Sequence, residues 1–205
     1  MRKTTREYLQ EKYSWDENVF NTVDWKIHGR ALSRLSWRKR LIVTKLIHRW
    51  LPVNYKLFKY RAADDDKCKA CGAVETQFHM FGCKCNTNIN TRKLAWAEFT
   101  KATAKIMHKT TRVHMWYGLA EVFGGDHPEE CLVYDGVEEG LRHCAKEQEA
   151  VGWIYLLYGQ VVKRWAILND ELMLRDGLKK TDKEQFTKAA IEGLWQFSIA
   201  VWTQS

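Results

Sequence analysis

Four residues in the first half of the sequence narrow the possible folds sharply. Cys68 and Cys71 are separated by two residues, seven more lead to His79, and three more to Cys83. Two cysteines at that spacing form a knuckle whose thiolates converge on one ion. A histidine and a cysteine one helical turn apart complete a tetrahedron of three sulfurs and one nitrogen. Gly72 follows Cys71 directly, where such a knuckle needs left-handed backbone. The ion expected is Zn2+. Four protein ligands leave it no open position, so its expected role is structural. Residues 68–85 hold little apolar content of their own and are expected to depend on the metal for their fold. Free buried cysteines and a redox CxxC are the alternatives, the latter without the βαβ setting it needs. Cys85 is a rival fourth ligand. Cys83 is preferred because it stands four residues from His79, on the same face of a helical turn. Cys131 and Cys144 fall thirteen residues apart on an expected helix, roughly 20 Å along its axis, and are read as buried thiols.

The rest of the composition points to a helical globule. The chain has 205 residues, 45% of them hydrophobic, and ten tryptophans, too apolar for disorder. Only Pro52 and Pro128 occur, which favours helices over a turn-rich β architecture. No apolar segment follows the basic N-terminus, and no run approaches the roughly 18 apolar residues of a membrane span. An intracellular, nuclear protein without a membrane partner is therefore expected, and in a reducing compartment cysteines serve metals before disulfides.

Periodicity predicts one long helix over about 25–51, with Ser36 as a cap and Trp37, Leu41, Ile42, Leu46, Ile47 and Trp50 as its buried stripe. Pro52 should end it. Further helices are predicted over about 91–108, with Leu94, Trp96 and Phe99 inward, and over 111–123, stopped by Gly124 and Gly125. Pro128 should open an interrupted helical stretch to about Arg175, with Gly152 and Gly159 on one face for close helix approach. The last helix is predicted from about Asp182 to Trp202. The fold class expected is all-α, a helical domain with an irregular CCHC zinc-binding loop and no extended sheet. It divides into an N-terminal arm (1–25), a basic helical region (26–119) with the finger at 68–85, and an acidic, Trp-rich helical region (120–205) packed on it.

Charge is unevenly spread. Residues 1–119 carry 24 Lys/Arg against 10 Asp/Glu, and residues 120–205 carry 9 against 15. From residue 26 to 61 there are eleven cations and no acid, a block that attracts polyanions. Arg30, Arg34, Arg38, Lys45 and Arg49 recur at helical spacing and are expected to line one face. Lys39, Arg40, Lys56, Lys59 and Arg61 widen the patch, suited to phosphate contacts. Among the interleaved aromatics, Trp37 and Trp50 are expected in the core. Tyr55, Phe58 and Tyr60 are the candidates for stacking on unpaired bases.

Together these residues resemble a known family. His48-Arg49-Trp50-Leu51-Pro52, a basic stretch, Cys68-x-x-Cys71-Gly72, Glu75-Thr76, His79 with Phe81, and Cys83 are similar to the zinc-binding region at the C-terminal end of non-LTR retroelement reverse transcriptases. The similarity covers about residues 40–85. The later Gln148, Gly152-Trp153, Gly159 and Trp165 also resemble retroelement-derived reading frames carrying the same finger. The resemblance implies a finger, ligated by Cys68, Cys71, His79 and Cys83, that helps hold RNA or DNA near a polymerase or endonuclease. One departure is the three-residue gap between His79 and Cys83, where four is common in the family.

The polymerase signature itself is missing. Its two metal ions need an aromatic-x-Asp-Asp turn and a further Asp, and the nearest string, Ala62-Ala63-Asp64-Asp65, has no aromatic and no flanking strands. His108, His114, Asp126, His127 and His143 match no known constellation. The function expected is a zinc-stabilised protein that binds RNA or DNA backbone through a basic helical face, without catalysis of its own. A zinc-stapled adaptor docking a protein partner through 120–205 and a metal-dependent nuclease are the competing expectations.

Overall fold

The structure, a computed structural model, describes residues 3–125 and 139–204. Among them it is all-α, with two isolated antiparallel bridges, Val23 with Val162 and Lys67 with Val74, and no sheet. The first five helices are α1 (Thr5–Tyr13), α2 (Glu17–Thr22), α3 (Trp25–Arg34), α4 (Trp37–Ile47) and α5 (Asn54–Lys59). Next come α6 (Gln77–Gly82), α7 (Asn86–Thr103), α8 (Lys109–Val122) and α9 (Glu139–Val151). The last three are α10 (Trp153–Leu156), α11 (Arg164–Arg175) and α12 (Lys183–Thr203).

The long helix expected over 25–51 is two helices joined at a corner. Leu35 and Ser36 are both extended, with ψ near 145° and 154°. Ser36 occupies the N-cap position of α4, although its hydroxyl makes no capping bond. Arg40 braces the corner instead, donating to the carbonyls of Ser33 at 2.7 Å and Leu35 at 3.2 Å. The corner resets the helical rotation, so the expected stripe is corrected. α4 buries Val43, Leu46 and Ile47, whereas Trp37 is 73% and Trp50 63% exposed. α4 also ends before Pro52 can act. Arg49 takes a left-handed φ of 59°, the Arg49 N–H donates to Leu46 O and the Trp50 N–H to Lys45 O, the bonding of a Schellman terminus.

α12 makes its most extensive contact with α7 and also meets α3, α4, α6 and α11. Gly193 permits the close approach of α7, since a Cβ there would lie 2.6 Å from a ring carbon of Phe99. Phe99 is buried, but Leu94, expected inward, is 70% exposed. α7 turns Asn88, Arg92, Ala95, Phe99 and Thr103 inward instead. Eight of the ten tryptophans lie in the core or against it, and the two that do not are Trp37 and Trp50.

The stretch to Arg175 breaks at both glycines rather than offering them on one helical face. Gly152 (φ 101°) separates α9 from α10, and Gly159 (φ 80°) lies in the turn before α11. Close approach does occur at Gly159, where a Cβ would meet the Trp195 indole nitrogen at 2.7 Å. Gln148, fully buried, holds this corner, donating to Gln160 O at 3.2 Å and accepting from the Val162 N–H at 3.3 Å. The expectations for Pro128, Cys131, Asp126 and His127 fall outside the described residues.

Candidate metal centre

Local chain chemistry assembles the cluster from two pieces. The first is the turn over residues 67–74, closed by the Lys67–Val74 bridge, by the Cys68 N–H donating to Ala73 O at 2.7 Å and by the Gly72 N–H donating to Cys68 O at 2.8 Å. Gly72 adopts φ 74°, the left-handed conformation expected of it. The second piece is α6, capped by Thr76, whose hydroxyl accepts the His79 N–H at 3.1 Å. His79 sits on α6 and Cys83 immediately follows it.

The two pieces bring the Cys68, Cys71 and Cys83 sulfurs and a His79 ring nitrogen to within 4.8 Å of one another. Individual edges are 3.2 Å from Cys71 Sγ to His79 Nε2, 3.7 Å from Cys71 Sγ to Cys83 Sγ, and 4.0 Å from Cys68 Sγ to Cys83 Sγ. A tetrahedral ion with metal–sulfur bonds of about 2.3 Å has edges of about 3.8 Å. The donor set and these spacings fit a metal ion. Cys85 Sγ lies 3.4 Å from Cys83 Sγ but does not join the set in which every donor is near every other. Burial pushes the Cys83 thiol up to about 12, while the Ala73 backbone N–H holds the exposed Cys71 thiol below its usual value. A bound cation reverses the first effect, since a coordinating thiol is deprotonated outright.

Buried polar residues tie the cluster to the core. Arg92, 1% exposed, donates to Cys83 O at 2.8 Å and lies 5.4 Å over the Phe123 ring. Its positive charge complements a centre that three thiolates and a dication would leave negative. Glu75 accepts the Asn54 N–H on Oε2 at 2.9 Å, and its backbone oxygen accepts the Tyr55 N–H at 3.1 Å. The Asn54 side chain returns a bond to Lys67 O at 2.7 Å. Gln77 donates to Leu46 O at 2.8 Å, anchoring α6 on α4. The sequence reading missed Arg92 and Gln77. The signal for Arg92 was its four-residue spacing from Asn88 and three-residue spacing from Ala95, the inward stripe of α7.

The expected basic strip does not form as a single line. Arg30 pairs with Glu184 at 2.7 Å, and Arg40 is held by the α3–α4 corner. Arg49 is drawn inward, donating to the Tyr155 hydroxyl at 2.7 Å with its guanidinium over the rings of Phe78, Tyr155 and Tyr13. Arg34, Arg38, Lys39, Lys59 and Arg61 are exposed, and Lys45 and Lys56 are partly so. None of these seven makes an ion pair among the described residues. Tyr55, Phe58 and Tyr60 stand exposed on and just beyond α5, as Trp37 and Trp50 do on α4 and after it.

Among the described residues, the histidines of the loose collection form no metal-sized group. His108 is buried and bonds Asp176 at 2.8 Å, His114 lies on α8, and His143 is exposed on α9. Cys144 is a buried free thiol pushed up to about 12 by burial. The chain matches no protein-family model, no curated protein and no solved structure.

Proposed function

We propose that this chain is a nucleic-acid-binding helical domain of retroelement origin whose Cys68–Cys71–His79–Cys83 centre holds a structural Zn2+. The observation that carries the reading is the surface of α4 and α5. Seven cations without acidic partners, from Arg34 at the end of α3 to Arg61 just beyond α5, alternate in sequence with five exposed aromatic rings on a segment that contains no Asp or Glu from residue 26 to 61. Backbone phosphates suit the cations, and unpaired bases suit the rings. The metal's part is positional. It closes the loop that carries Glu75, and Glu75 carries the start of α5. Four ligands leave the ion no site for substrate.

The test is binding of a labelled single strand across a salt series. Affinity should fall by about an order of magnitude or more between 50 and 200 mM salt if several phosphates are neutralised. The combined charge reversal of Arg38, Lys39 and Lys59 should flatten that slope. Binding indifferent to salt and to the reversal rejects the proposal.

A further inference from the structure

Beside the metal loop, bounded by α5, the start of α7 and the end of α12, lies a cavity of about 530 Å³, within the roughly 300–1,000 Å³ of small-molecule sites. Glu75 and Asn88 line it, and they are only 5% and 4% exposed. Glu75 Oε2 is engaged by the Asn54 N–H, whereas the other carboxylate oxygen and the whole Asn88 amide have no hydrogen-bond partner among the described residues. None of these atoms is sealed from solvent, so they face the cavity. A carboxylate and an amide presented together to an open cavity mark a place for a polar-edged ligand. Val53 and Leu57 give it apolar walls, and Trp202 gives an aromatic one. Lys69 stands exposed at its margin, and the first turn of α7 has no side-chain cap, leaving its N–H groups to an anion.

We infer that this cavity takes one unpaired guanine base of a bound single strand, an inference that rests on the nucleic-acid reading above. A planar base offers apolar faces to the walls and one polar edge to Glu75 and Asn88. Guanine is the base whose Watson–Crick edge carries two adjacent donors, N1–H and the 2-amino group. A carboxylate with about four lone-pair sites can accept both while keeping the Asn54 N–H. Uracil offers a single N–H flanked by two carbonyl oxygens, which a carboxylate repels. The Asn88 amide, both donor and acceptor, serves the remaining edge atoms, and Lys69 with the α7 N-terminus meets the nucleotide's phosphate. The surface on α4 and α5 then supplies affinity, and this cavity supplies choice.

The experiment measures fluorescence anisotropy of the metal-loaded protein with labelled pentaribonucleotides at one moderate salt concentration. UUGUU should bind about tenfold more tightly than UUUUU, the discrimination one well-placed bidentate contact gives. UUIUU, whose inosine lacks the 2-amino group, should lose most of that gain. Glu75→Gln keeps an acceptor for the Asn54 N–H, and Asn88→Ala shortens a side chain that bonds nothing. Each should bring UUGUU down to the affinity of UUUUU measured on the same variant, so the readout is the ratio of the two pentamers and not the absolute affinity. Equal binding of all three pentamers, with a normal salt slope, overturns the guanine site and leaves the nucleic-acid reading standing. A preference that survives both substitutions overturns the site as well. Absence of binding to every pentamer overturns both.

Discussion

Cys83 and Cys85 are chemically identical, two residues apart, and 3.4 Å apart at sulfur, so the fourth ligand is decided by direction alone. Cys83 sits at the end of α6, facing Cys68 and Cys71, and Cys85 begins α7. Cys83→Ser should therefore abolish stoichiometric zinc binding, while Cys85→Ser should retain one ion per chain. Native mass spectrometry of the two variants checks this, and the reverse pattern would make Cys85 the ligand. Arg49 offers a second contrast. Its left-handed φ costs about 1–2 kcal/mol in a non-glycine residue, and the ring contacts and the Tyr155 bond hold it there. Arg49→Ala should lower unfolding free energy by about 2 kcal/mol and leave nucleic-acid affinity nearly unchanged. Affinity lost with stability intact would return Arg49 to the binding face. At this scale the ligand spacing was legible in the sequence, because knuckle geometry is local. The fate of Arg49 was not, since Tyr13 and Tyr155 are brought to it only by the tertiary fold.

Among the elements, the all-α composition and the ends of α8 and α12 were readable from glycine stops and periodicity. The α3–α4 corner was not. An apolar pattern can run on through two residues of extended backbone, so Trp37 and Trp50 looked like members of a buried stripe. What betrays the corner is the Arg40 side chain bonded back to Ser33 and Leu35, a tertiary detail. The inward stripe of α7 misled differently, because it contains Asn88 and Arg92, which hydropathy places outside. Helix spacing yields a direct prediction. The Gly193→Ala methyl would fall 2.6 Å from the Phe99 ring, so α7 and α12 must separate or the ring must turn. Overpacking of this kind costs about 1–3 kcal/mol. Chemical denaturation of Gly193→Ala should show that loss, and unchanged stability would mean the two helices are looser than they stand here.

For the whole molecule, an indole and backbone amides join the N-terminal helices to the rest, and two phenols lie beside that junction. Trp15 donates to Val151 O at 3.2 Å, the Asp24 N–H to Val161 O, and the Lys163 N–H to Thr22 O, so the first helices dock on the segment around α10. Tyr13 lies in that junction, its ring 4.7 Å from those of Trp15 and Tyr155. Tyr158 reaches from the same segment to α6, its hydroxyl 3.2 Å from the Gln77 amide nitrogen. Burial pushes both phenols up to about 12, from an ordinary value near 10. A raised acid pKa means that the folded chain prefers the neutral phenol. The associated stability is whole below pH about 10 and is lost as pH rises from 10 towards 12. For the fully buried Tyr158, a shift of that size corresponds to at most about 2–3 kcal/mol; the partly buried Tyr13 contributes less. Denaturant unfolding should therefore begin to weaken from about pH 9, where the buried Cys144 thiol also resists ionisation, and weaken more steeply above pH 10. Absorbance at 295 nm should show these two tyrosines titrating with that weakening. Tyr158→Phe should shallow the alkaline loss more than Tyr13→Phe does, despite the bond it removes from Gln77. An alkaline limb equally steep in both variants would place the junction's pH sensitivity elsewhere.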